Sequence, residues 1–271
     1  MSEKIYRLAL LGGDVSQSKS GKIHAFLFRQ FGEKLSYECV SVNPQDLDFA
    51  AVRLLGDFDG FNVTIPFKRD VMEYLDGVEG DALTFGAVNT VVCDTRTGYN
   101  TDGVGLMWML QDAGICVEGK RVLVLGAGGA GRSTAAVLKA AGAQVFLYRR
   151  NQKELLETCE ELGVQAAKTL CGYAIVVNAT GIGMHASVGV SPVGSDVFCG
   201  VEWAVDLIYR PKETEFLRLA KEQGANALNG EAMLFYQAYY SDCYYLNKRP
   251  DYAQAKAFYA LYQRECEGEK E

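Results

Sequence analysis

The sequence predicts an α/β protein built as two layered domains, and three observations carry that reading. Strand-like apolar runs alternate with segments of helical period along most of the chain. One stretch, Arg121-Val122-Leu123-Val124-Leu125, runs straight into Gly126-Ala127-Gly128-Gly129-Ala130-Gly131 and then into a helical pattern, Ser133 to Ala141, and a second apolar run, Gln144 to Tyr148. At 271 residues the chain is long enough for two modest domains, each with its own core.

In chain order, Ile5 to Gly12 reads as a strand, with Tyr6, Leu8 and Leu10 alternating before glycines stop it. A polar loop, Gly13 to Ser20, leads to a helix over Ile23–Phe31 and a strand over Leu35–Val42. A second helix is expected over Pro44–Gly56, with Leu47, Phe49, Val52 and Leu55 as its apolar members. Gly60–Thr64 is a third strand, ended by Pro66, and Lys68–Leu75 a further helix. Ala87–Cys93 and Thr97–Asn100 suggest a hairpin or paired strands. The helix Thr101–Ala113, opened by Thr101-Asp102 as a capping pair, bridges into the next domain. After Tyr148 come a helix carrying Leu155, Leu156, Cys159 and Leu162, and buried-strand runs at Ala174–Asn178 and Trp203–Leu207. Helices over Thr214–Gln223, Gly230–Tyr245 and Asp251–Glu265 complete the chain.

The glycine stretch is the strand, turn, helix, strand layout of a Rossmann unit, which binds the pyrophosphate of a dinucleotide. Gly126 allows the tight turn. Gly128 lets a diphosphate approach the backbone, and Gly131 or Ala130 lets the helix lie close to the strand. Free N–H groups and the helix dipole then face the anion. The alternative is an ordinary tight turn. About 20 residues past the first glycine, NAD sites usually carry an acid for the ribose hydroxyl. Here the chain reads Tyr148-Arg149-Arg150-Asn151. Two guanidinium groups suit a 2′-phosphate, so NADP is expected over NAD; a solvated basic loop is the alternative.

Lys and Arg total 27 against 34 Asp and Glu, a net charge of −7, which disfavours nucleic acid as a partner. No membrane span and no signal peptide are read from the sequence, and a cytoplasmic protein is expected. The 8 cysteines are scattered without a C-x-x-C pair, and several, such as Cys39 and Cys93, sit in apolar runs, so buried reduced thiols are expected. With only His24 and His185, and no cysteine or acid cluster at ligand spacing, no metal site is expected.

Four polar groups stand outside the nucleotide turn. Ser18 and Ser20 can both donate to one carboxylate, or they form a helix-capping loop. Lys68, just past a strand end and a proline, can exchange a proton with a carbonyl or hydroxyl, or is an exposed lysine in a first helical turn. Asp102 can pair with Lys68 and bind a substrate hydroxyl, with Asn89 shortly upstream, or it caps a helix. An ammonium so paired suits donation to a forming alkoxide. Gln237, among Phe235, Tyr236 and Tyr239, reads as a ligand or as a satisfied interface residue.

The ordered set Ser18-x-Ser20, Asn62-Val63-Thr64-x-Pro66-x-Lys68, Gly86-Ala87-Val88-Asn89-Thr90, Asn100-Thr101-Asp102, Gly126-Ala127-Gly128-Gly129-Ala130 and Asn178-Ala179-Thr180-x-x-Gly183-Met184 resembles the shikimate dehydrogenase family. Asp206-x-x-Tyr209-x-Pro211-x-x-Thr214, Gly230, Met233, Leu234 and Gln237 continue the likeness over nearly the whole chain. The resemblance implies NADP-dependent interconversion of 3-dehydroshikimate and shikimate, in aromatic amino-acid biosynthesis. It implies an N-terminal three-layer α/β substrate domain (1–102), a Rossmann NADP-binding domain (103–235) and C-terminal helices (236–271) packing back on the substrate domain, in a monomer or homodimer. Ser18 and Ser20 would hold the carboxylate, and Thr64, Asn89, Asp102 and Gln237 the ring hydroxyls, with Tyr209 near the substrate. Lys68 would be the proton shuttle, and a cleft between the domains would close before transfer. Arg149 and Arg150 would meet the 2′-phosphate, and Thr180, Leu207, Gly230 and Met233 would complete the cofactor site.

The chain departs from the family pattern at several places. Gln17 stands where His is common, Gly21 and Asp14 where Pro is common, Tyr148 where Asn precedes the arginine, and Gly181-Ile182 where Ser or Pro is usual. These bear on loop stiffness, cofactor affinity and the choice between shikimate and quinate. Quinate carries an extra hydroxyl beside the carboxylate, and serine at both 18 and 20 leans toward shikimate. A quinate-preferring enzyme using NAD or NADP is one alternative. An idle NADP-binding sensor of the same fold is another; it would need neither Lys68 nor Asp102.

Overall fold

A computed structural model of the chain describes residues 4–16 and 18–268; Gln17 lies outside the described residues. The chain divides into two compact units, one running to Gly105 and resuming at Phe235, the other spanning Leu106–Leu234. The first unit begins with β1 (Ile5–Gly12), α1 (Ser20–Phe31), β2 (Lys34–Ser41), α2 (Leu47–Asp57), β3 (Gly60–Val63), β4 (Gly77–Val78), α3 (Asp81–Phe85), β5 (Thr90–Val92) and β6 (Thr97–Tyr99). Then α4 (Asp102–Asp112) carries the chain into the second unit. That unit holds β7 (Arg121–Leu125), α5 (Gly129–Ala140), β8 (Gln144–Tyr148), α6 (Gln152–Leu162), β9 (Gln165–Ala166), β10 (Ile175–Asn178), β11 (Trp203–Asp206), α7 (Glu215–Glu222) and β12 (Asn226–Leu228). Finally α8 (Glu231–Tyr245) leads back to the first unit, which ends with α9 (Tyr252–Gly268).

The first sheet has the strand order β2-β1-β3-β5-β6-β4. Its first three strands are parallel, while β5 runs antiparallel to both β3 and β6, the expected hairpin. The register Leu11↔Val63 aligns the carboxyl ends of β1 and β3. The polar loop after β1 and the turn after β3 therefore leave the sheet side by side, and the Gly13 N–H donates to the Ile65 carbonyl at 3.0 Å. One face of the sheet packs Leu11, Phe61, Val63, Val88 and Val91 with Leu54 of α2. The C-terminal helices pack on α1 through aromatic rings: Phe26 meets Tyr262 at 5.3 Å and Phe235 at 6.1 Å.

The second sheet is parallel in every pairing, in the order β12-β11-β10-β7-β8-β9. The chain starts at β7, runs outward through β8 and β9, then returns to the other side for β10, β11 and β12. The direction of winding reverses between β7 and β10, where an open α/β sheet leaves a crevice at its carboxyl edge. Every residue of β10, and every residue of β7 after Arg121, is buried, so neither strand alternates as a half-exposed one would.

Several expectations are corrected. Pro44–Asp46 is a 3-10 turn and the α-helix starts at Leu47, so the inward stripe is Leu47, Ala50, Ala51 and Leu54. Phe49 and Val52 are instead 80% and 67% exposed. Lys68–Leu75 is not an α-helix: Lys68 lies in a turn, and a 3-10 segment follows over Asp70–Tyr74. Phe67 and Val71, both fully buried, pin that short segment to the core, leaving too few residues to propagate α-helical bonds. The cysteines are free, but only Cys93, Cys159 and Cys243 are buried; Cys39, on the edge strand β2, is exposed. The short elements β4, α3, β9 and β12 carry too few residues to show a period in the sequence.

Candidate active site

Lys68 owes its place to the residues on either side of it. Phe67 is driven into the core, and the Lys68 carbonyl accepts from the Val88 N–H at 2.7 Å, tying the turn to the strand hairpin. The side chain then reaches Asp102, 34 residues away, where its Nζ donates to Oδ2 at 2.6 Å. The two side chains are 18% and 12% exposed, shielded but reachable.

Asp102 opens α4, and its own N–H donates to Asn100 Oδ1 at 3.0 Å. Its second oxygen, Oδ1, accepts from Asn89 Nδ2 at 2.9 Å. The other amide proton of the Asn89 side chain goes to Thr101 Oγ1 at 3.0 Å, and its Oδ1 accepts from the Thr101 N–H at 2.9 Å and the Thr90 hydroxyl at 2.9 Å. Asn89 thus binds the end of β5's lead-in to the start of α4 and fixes the carboxylate that holds Lys68. From α8, the Ser241 hydroxyl lies 2.7 Å from that of Thr90 and 3.1 Å from that of Thr101, and Gln237 Oε1 lies 3.4 Å from Thr101 Oγ1.

Ser18 and Ser20 share a bond of 3.0 Å between their hydroxyls, and the Ser20 N–H donates to Ser18 Oγ at 3.1 Å. Ser20 is the first residue of α1, and both hydroxyls gather at that helix start. Thr64 is half-buried at the end of β3, on the same sheet edge. Tyr37 donates to Asn62 Oδ1 at 3.2 Å, and Asn62 Nδ2 to the Asn89 carbonyl at 3.3 Å, so polar contacts run along this edge toward Asp102.

In the second unit the glycine turn lies at the β7–β10 reversal. Gly126 has φ of +102°, and a Cβ on Gly131 would fall 2.0 Å from the Gly126 carbonyl oxygen, so Gly131 is the residue that admits the helix to the strand. Above Gly128 and Gly129 a Cβ would meet nothing within 4 Å, which leaves the first turn of α5 open to an anion. This cradle fits a dinucleotide pyrophosphate, with Ala127 buried beneath it and Ala130 half-buried in the first helical turn. Thr180, after β10, donates to Asn178 Oδ1 at 2.6 Å, and Asn178 donates to Asp206 at 3.0 Å. Asp206 also accepts from the Thr214 hydroxyl at 2.6 Å and the Ile208 N–H at 3.0 Å. Burial raises its pKa to about 6 against the pull of those hydrogen bonds. Leu207 and Gly230 meet backbone to backbone: a Cβ on Gly230 would sit 2.2 Å from the Leu207 carbonyl oxygen. Met233 follows in the first turn of α8, and Tyr209 is half-buried, its phenol pushed up by burial. Arg149 pairs with Glu154, and Arg150 is exposed.

Residues 10–91 match the model of the shikimate dehydrogenase substrate binding domain. The shikimate dehydrogenase (NADP(+)) of Moorella thermoacetica is 37% identical over 249 residues, 85% of this chain and 84% of the relative. The chain belongs to the shikimate dehydrogenase family. Among solved structures, the Thermus thermophilus shikimate 5-dehydrogenase in complex with NADP(H) and shikimate matches with a TM-score of 0.86 at 35% identity, covering 93% of this chain and 98% of that one. A chorismate mutase/shikimate 5-dehydrogenase fusion protein from Clostridium acetobutylicum matches with a TM-score of 0.88 at 31% identity, covering 97% and 98%. As a shikimate dehydrogenase family member, the chain brings Lys68, Asp102 and Asn89 into direct contact and sets Gln237 one hydroxyl away, all within the first unit. Gly126 to Ala130, Arg149, Thr180, Leu207, Tyr209, Gly230 and Met233 all belong to the second. Thr90 and Ser241 were not singled out from the sequence. The signal for Ser241 is its place one helical turn beyond Gln237. Among the described residues no group of three or more His, Cys, Asp and Glu could hold a metal, and no helix is long and apolar enough to cross a membrane.

Proposed function

We propose that the chain catalyses the NADPH-dependent, reversible reduction of 3-dehydroshikimate to shikimate, a step toward chorismate and the aromatic amino acids, with Lys68 as the proton shuttle. The observation that carries this reading is the 2.6 Å Lys68–Asp102 pair, clamped from behind by Asn89. When bound, NADPH supplies the hydride that reduces the carbonyl carbon. Ser18 and Ser20 hold the substrate carboxylate; Thr64, Asp102 and Gln237 hold ring hydroxyls. Asn89 acts with them through Asp102, to which it gives an amide proton, and Tyr209 stands by the substrate. Lys68 passes one ammonium proton to the carbonyl oxygen as the alkoxide charge develops, and regains a proton from solvent; in the oxidative direction it accepts the hydroxyl proton. The N–H groups of the Gly126–Ala130 turn hold the pyrophosphate, Arg149 and Arg150 the 2′-phosphate. Thr180, Leu207, Gly230 and Met233 complete the cofactor site. The first unit is then the substrate domain and the second the cofactor domain. The eight free thiols suit a reducing cytoplasm.

The test follows formation of NADPH or NADH from shikimate and from quinate, each with NADP and with NAD, for the wild type and Lys68→Ala. The expected result is turnover of shikimate with NADP and a fall in kcat of about 10²–10⁴-fold in the variant, with KM little changed. A kcat unmoved by Lys68→Ala removes the proton-shuttle role. Wild-type protein that turns over neither acid removes the enzymatic reading.

A further inference from the structure

The end of β8 holds an acid that its sequence position conceals. Glu154 stands five residues beyond Arg149 in number, but the first turn of α6 brings it back to the strand end. Asn151 caps that helix: its Oδ1 accepts from the Glu154 N–H at 3.4 Å, and its Nδ2 donates to Glu154 Oε1 at 2.6 Å. The other carboxylate oxygen, Oε2, pairs with Arg149 Nη2. Both oxygens are therefore engaged by donors standing where a 2′-phosphate is to be read. Arg132, on α5, is already engaged by Glu161 and Thr158 of α6.

We propose that Glu154 competes with the cofactor's 2′-phosphate for Arg149 and so sets how sharply the site separates NADP from NAD. The inference rests on the reading of Arg149 given above. A phosphate dianion must break the Arg149–Glu154 pair and then tolerate the displaced carboxylate nearby. A cofactor with a 2′-hydroxyl need do neither. The charge of Glu154 thus weakens NADP binding and leaves NAD binding intact. Arg149 and Glu154 are 36% and 43% exposed, so solvent screens the effect to a modest factor. A capping role alone makes a different forecast. Glu154→Gln keeps the hydrogen bonds at the helix start while removing the charge, and a purely structural residue would leave cofactor choice unmoved.

Dissociation constants for NADP and NAD, measured by calorimetry at low ionic strength on the full chain, decide between these. The variants are Glu154→Gln, Glu154→Ala, Arg149→Gln and the Arg149→Gln/Glu154→Gln double, each checked for folding by its melting temperature. Glu154→Gln and Glu154→Ala are expected to tighten NADP about three- to tenfold and to change NAD by less than about twofold. The gain should shrink when added salt screens the carboxylate, and shrink again in the double variant, which has no guanidinium to free. If Arg149→Gln weakens NADP but both Glu154 variants leave the NADP-to-NAD ratio unchanged, the competition is overturned and the Arg149 reading survives. If Arg149→Gln leaves NADP binding unmoved, the Arg149 reading falls and the competition with it.

Discussion

Asn89 shows how a site is held by a residue that does no chemistry itself. It is 3% exposed, and its side-chain amide links Thr90, Thr101 and Asp102. Cutting it back to alanine strands the Thr101 N–H in a buried place and removes one of the two donors that set the Asp102 carboxylate. Unpaired buried groups cost about 1–3 kcal/mol each, so Asn89→Ala should lower stability by about 2–4 kcal/mol, read from urea unfolding. A carboxylate free to rotate lets Lys68 wander, so kcat should fall by roughly tenfold to a hundredfold while KM changes less. A variant that loses stability but keeps full kcat would show that Asn89 is structural only. At this scale the sequence was legible where a residue sits in a dense local motif: Lys68 after Asn62-Val63-Thr64, Asp102 after Asn100-Thr101. For Ser241 the helical spacing from Gln237 gives its face, but nothing in the chain order names its partner Thr90, 151 residues away.

The elements were legible in proportion to their length and to how fully they are buried. β1 and β7 announce themselves as apolar runs, whereas two-residue strands such as β4 and β9 exist only because a neighbouring strand offers hydrogen bonds. The phase of α2 misled because Phe49 and Val52 are the larger apolar residues, yet alanines 50 and 51 face the sheet. Close packing there favours small side chains between Leu47 and Leu54, and the 3-10 turn at Pro44–Asp46 sets where the helix begins. The two faces make opposite forecasts. Leu54→Ala opens a cavity in the first core and should cost about 2–5 kcal/mol. Phe49→Ser, on the exposed face, should stay within about 0.5 kcal/mol of the wild type. Equal losses in chemical denaturation would restore the phase read from the sequence. Helix winding likewise hides Glu154 in the linear order: α6 supplies an acid to the strand end from its first turn.

At the scale of the whole molecule, the first unit is split in sequence by the second, so the two must be told apart in any unfolding experiment. The chain supplies the means: its two tryptophans, Trp108 and Trp203, both belong to Leu106–Leu234. Tryptophan fluorescence therefore follows the second unit, where Asp206 is fully buried and titrates near 6 instead of 3.8. A carboxyl whose pKa is raised by folding keeps its proton in the folded state after the unfolded chain has released it. Its contribution to stability is complete below pH about 4 and is lost as pH rises through about 6. A shift of about two units corresponds to roughly 3 kcal/mol across that window. Asp206→Asn has no proton to release. Its carbonyl oxygen can accept from Asn178 and Ile208, and its amide can face a rotated Thr214 hydroxyl, so the fold survives the change. Only about one pH unit of that window lies between pH 5 and pH 8, so fluorescence-detected urea unfolding at the two pH values should differ by about 1.4 kcal/mol less in Asp206→Asn than in the wild type. Asp242 of the first unit, buried against His24 at 2.6 Å and likewise raised by burial, adds its own slope there. An unchanged pH difference in the tryptophan signal would mean that the hydrogen bonds from Thr214, Asn178 and Ile208 offset the burial of the Asp206 charge in full.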